Sequence, residues 1–89
     1  MYRLDIDPIA QEQIWALPQK ALAALGEEFD VLGLVPERGQ PINPANPTGG
    51  VYQLVFGEGR GLITYLMLED HQRVDVLLVA WVSFDEPGP

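Results

Sequence analysis

Eighty-nine residues, 47% of them hydrophobic, are enough for one small domain and too apolar for a disordered chain. The absence of cysteine excludes a disulfide framework, a thiolate zinc site and a cysteine nucleophile. Thirteen Asp and Glu against five Lys and Arg give a net charge of −8, so the chain meets a polyphosphate with repulsion.

The five cations, Arg3, Lys20, Arg38, Arg60 and Arg73, are scattered, so no linear basic patch forms and direct DNA binding is not expected. With a single histidine, His71, no metal cluster is expected, and nothing in the sequence calls for a cofactor. Residues 1–18 lack the basic start and apolar centre of a secretory signal. The longest apolar run, residues 76–82, is far short of the ~20 residues that span a bilayer. A cytoplasmic protein without membrane contact is expected.

Taken in order, Tyr2, Leu4 and Ile6 alternate with Arg3 and Asp5, the period of a half-buried strand. Asp7-Pro8 reads as a helix cap followed by proline in the first turn. A first helix from residue 8 to about 17 is expected to bury Ile9, Ile14 and Leu17, with Pro18 breaking it. A second helix follows, with Leu22, Leu25, Phe29 and Leu32 at helical spacing, ended by Gly33 or Pro36. Residues 36–50 hold four prolines, three glycines and two asparagines, a composition that predicts irregular chain throughout.

Three strands close the sequence: 51–56, 61–68 and 74–82. Gly57-Glu58-Gly59-Arg60 makes the first turn between them, and Glu69-Asp70-His71-Gln72 the second. The last strand is apolar on both faces, with Val74, Val76, Leu78, Ala80 and Val82 on one and Leu77, Val79 and Trp81 on the other. It is therefore expected in the middle of the sheet, covered on both sides, with Leu78 or its strand neighbours fully buried. Trp15 and Trp81 are read as packing residues. Residues 1–89 are expected to form a single domain, with 83–89 a frayed tail. The expected fold is α+β, in the order βααβββ, a two-helix hairpin packed on an antiparallel sheet.

That layout resembles the RelE/ParE superfamily of toxins. So do Tyr2-Arg3-Leu4, Ala16-Leu17-Pro18 and the alanine-leucine helix that follows, Pro36 and Gly39, Phe56-Gly57-Glu58-Gly59-Arg60, Tyr65 and the valine-rich final strand. The resemblance implies the toxin-like component of a type II toxin–antitoxin pair, of the kind tied to plasmid stabilisation. It also implies an mRNA interferase acting on the ribosome or, in the ParE branch, a gyrase inhibitor. The implied partner is a cognate antitoxin or a second copy, with ribosome or RNA if activity is retained. Tyr52, Tyr65 and Trp81 are the aromatic residues expected near an apolar concavity that receives the partner. A non-enzymatic interaction module on the same fold is the alternative.

By the same resemblance the candidate catalytic residues are Arg60, Tyr65, His71 and Arg73. Cleavage through the ribose 2′-hydroxyl needs a base, an acid and cations at the phosphate. His71 is the one candidate of ordinary acid–base type, with Arg60 and Arg73 as clamps. The family's further basic positions correspond here to Gln53, Leu54 and Val55, and to Trp81-Val82-Ser83-Phe84, none of them basic. The nuclease site is thus expected to be incomplete.

Overall fold

The computed structural model describes residues 1–42 and 50–82. The expectations for residues 43–49 and for the tail 83–89 lie outside the described residues. The elements are β1 (Arg3–Ile6), α1 (Pro8–Trp15), α2 (Gln19–Leu34), a 3₁₀ turn (Pro36–Arg38), β2 (Gln40–Pro41), β3 (Val51–Phe56), β4 (Gly61–Leu68), a second 3₁₀ turn (Glu69–His71) and β5 (Arg73–Trp81). Asp7 caps α1 as its sequence suggests. Its carboxylate accepts the Ile9 N–H at 2.9 Å, and Pro8 occupies the first turn.

The strand order is β1-β5-β4-β3-β2. The chain is α+β as expected, but the sheet is mixed, because β1 joins β5 in parallel, Arg3 opposite Arg73 and Ile6 opposite Val76. A long crossover separates these two strands, so the parallel sense costs no tight turn. The loop expected to be irregular carries one turn of 3₁₀ helix and the short strand β2, paired antiparallel to β3.

One core runs beneath the helices. Leu25 and Leu32 of α2 and Ala10 of α1 pack on Tyr52, Leu54, Phe56, Ile63, Tyr65, Met67, Val74, Val76 and Val79 of the sheet. The helical faces are rotated slightly from expectation. In α1, Ala10 is buried, Ile14 and Leu17 are half-buried against the core, and Ile9 and Trp15 stand out, Trp15 74% exposed. In α2, Ala21 takes the buried place expected of Leu22. Both helices are covered on one side only, and a small residue sits wherever the backbone comes closest to the sheet.

The largest correction falls in β5. Thr64 pairs with Leu78 but Tyr65 pairs with Val76, which leaves Leu77 as an extra residue, a β-bulge. The bulge advances the side-chain alternation by one. Val74 and Val76 face the core, and beyond the bulge Val79 does so, while Leu78 turns outward and is 45% exposed. β5 does lie inside the sheet, between β1 and β4, but it is covered on one side rather than two. Past Ile6 it has no strand beside it on the β1 side. There α1 takes over, with the Gln13 side-chain carbonyl accepting the Val79 N–H at 2.7 Å.

Leu25→Ala should cost about 2–5 kcal/mol of folding free energy through the cavity it leaves. Leu78→Ala should cost under about 1 kcal/mol, as befits an exposed site. Urea denaturation of the two variants checks this. An equal loss for both would mean that β5 keeps an unbroken alternation.

Candidate functional site

The helices cover one face of the sheet. The opposite face can be read off the strand register row by row. Gln40, Gln53, Thr64 and Leu78 form one row, Val55, Leu62 and Ala80 the next, and Val51 and Leu66 a third that ends at Asp75. Across β3, β4 and the distal half of β5 this face carries no formal charge, in a chain whose net charge is −8. Val55 is 59% exposed, and Leu78 and Ala80 are exposed beside it. A hollow of about 350 Å³ at the β2–β3 edge is lined by Arg38, Gln40, Gln53, Val55 and Leu62 among others.

Among the described strand residues, charge on this face is confined to the β1–β5 corner, where it neutralises itself, and Arg38 borders the face at the opposite, β2 edge. Arg73 Nε sits 2.9 Å from Asp75 and 3.4 Å from Asp5, and Arg3 reaches Asp5 at 3.4 Å. Arg38 is held by Glu28 at 2.8 Å.

The four candidate residues do not converge. His71 lies exposed in the turn after β4, and Arg73 follows two residues later at the start of β5, so these two share one end of the sheet. Arg60 lies in the β3–β4 turn at the other end, where its carbonyl accepts the Val82 N–H at 2.8 Å. The eight residues of β4 separate the two ends by about 27 Å at the usual strand rise.

Tyr65 lies on the opposite face from Arg73, fully buried beneath the helices. Its hydroxyl donates to the Pro36 carbonyl at 2.6 Å and accepts the Gly39 N–H at 3.0 Å. Its ring stacks on Tyr52, centroids 5.6 Å apart. Gly39 is required there, since a Cβ would lie 2.5 Å from the Tyr65 hydroxyl. Burial pushes the Tyr65 phenol above its ordinary value of 10.0, with the Gly39 amide pulling the other way.

The aromatic residues expected at a partner groove are likewise inside. Tyr52 and Tyr65 are core, and Trp81 packs on Phe56 with centroids 5.8 Å apart. The apolar surface that is exposed consists of Val55, Leu78 and Ala80 instead. Its signal was present in β3, where the polar Gln53 and small Val55 alternate against the large Tyr52, Leu54 and Phe56. Among the described residues, no group of three or more His, Asp or Glu could hold a metal ion. No helix is long and apolar enough to cross a membrane.

Tyr65→Phe should destabilise the fold by about 1–3 kcal/mol, because it leaves a buried amide and carbonyl unpaired. The raised phenol gives a second signature. Its contribution is fully present below pH 10.0 and is lost as pH rises through the folded value, since only the unfolded chain ionises freely. That alkaline loss should shrink in Tyr65→Phe. Denaturation curves between pH 8 and 11 measure both, and identical curves for the two proteins would refute the assignment.

No protein-family model matches the sequence, and no curated protein matches it significantly. Solved structures do match in shape. The isolated E. coli RelE toxin superposes with a TM-score of 0.76 at 17% identity, over 97% of this chain and 89% of that one. A chain of the toxin–antitoxin complex RelBE2 from Mycobacterium tuberculosis superposes at 0.75 and 25% identity, over 91% of this chain and 98% of that one. The intact E. coli RelBE complex gives 0.71 at 18% identity, over 93% and 99%. Two helices on one face of a five-stranded mixed sheet, aligned over nearly the whole chain, are the fold of the RelE superfamily of toxins.

Proposed function

We propose that this chain is the toxin-like component of a type II toxin–antitoxin pair, with an incomplete nuclease site and a sheet face that binds protein. The observation that carries the reading is the uncharged, partly apolar face on a RelE-type sheet. RNA cleavage would need an acid, a base and cations gathered on one phosphate. His71 and Arg73 stand together, but Arg73 is already held by Asp5 and Asp75, and Arg60 is a strand's length away. Gln53 and Val55 lie outward where resemblance to the family calls for basic side chains.

A protein partner fits the same face well. Depletion of charge at the centre with polar groups around it is the pattern of a protein interface. RelE chains of the same fold are solved together with their antitoxins. The partner proposed here is an antitoxin-like protein whose binding segment is amphipathic and basic, met in the cytoplasm. Basic residues match a chain of net charge −8 and speed its capture, whereas a second copy would bring like charge to like. The same face also suits a non-toxic interaction module. Expression of the chain alone in its host separates these readings, since slowed growth or translation is expected of a toxin and neither of the module.

Val55→Asp and Leu78→Asp should abolish co-purification of the partner while leaving the melting temperature within a few degrees. Recovery of the partner at undiminished yield with both variants would exclude this face. Binding to generic single-stranded RNA at physiological salt should be ~10⁻⁴ M or weaker. Tight, salt-sensitive RNA binding by fluorescence anisotropy would return the chain to the nucleases.

A further inference from the structure

We draw no further inference here: the strongest candidate, the apolar hollow of about 340 Å³ between β1 and the end of α2, walled by Met1, Tyr2, Leu4, Phe29, Gly33 and Leu34 with Asp30 beside them, is an unpartnered surface, and nothing in the structure shows what covers it.

Discussion

A single extra residue in the last strand decides what the rest of the molecule buries and what it shows. With Leu77 bulged out of register, Val74, Val76, Val79 and the ring of Trp81 all reach the helix-covered side. An unbroken alternation would send Val79 and Trp81 to solvent and put Leu78 and Ala80 beneath the helices. The bulge therefore places a β-branched residue and a large aromatic over α1 and α2, where a small domain most needs buried apolar area. Gln13 completes the arrangement by accepting the Val79 N–H on an edge that has no neighbouring strand.

The uncovered face follows from that choice. Leu78 and Ala80 join Val55 and Leu62 across the register, and the charges that border them among the described residues are paired, Arg73 with Asp5 and Asp75 at the β1–β5 corner and Arg38 with Glu28 at the β2 edge. The acidity of the chain thus lies around this surface and not upon it. Such separation leaves an uncharged area that a partner need not desolvate at high cost. Tyr65 serves the opposite face. By holding Pro36 and Gly39 it straps the chain after α2 onto the sheet and sets the entry into β2.

Much of this was legible in the residues. The Asp7-Pro8 start of α1, the bounds of β3 and β4, and the two turns between the last three strands all rest on local chemistry: capping, alternation and glycine with positive φ. What was not legible depended on register. A continuous apolar run such as 74–82 carries no mark of where a bulge falls, because Leu77 and Leu78 look alike until β4 is laid beside them. β2 consists of Gln40 and Pro41, too short for any periodicity, and exists because β3 offers it an edge. The parallel sense of β1 is likewise set by where α1 and α2 return the chain.

The candidate residues show why resemblance in pattern is a poor guide to a site. Tyr65 sits where an exposed aromatic was expected by analogy, yet in this chain strand alternation turns it inward beside Ile63 and Met67. His71 and Arg60 are both turn residues, and turns at opposite ends of one strand cannot meet however similar their sequences are to a family motif. A constellation requires side chains on the same face within a few residues of the same row. By that rule the surface that can act as one unit is the block of Gln53, Val55, Leu62, Thr64, Leu78 and Ala80, joined through adjacent register pairs. That block offers apolar contact and neutral hydrogen bonding, the chemistry of recognition between proteins, and none of the groups that move a proton.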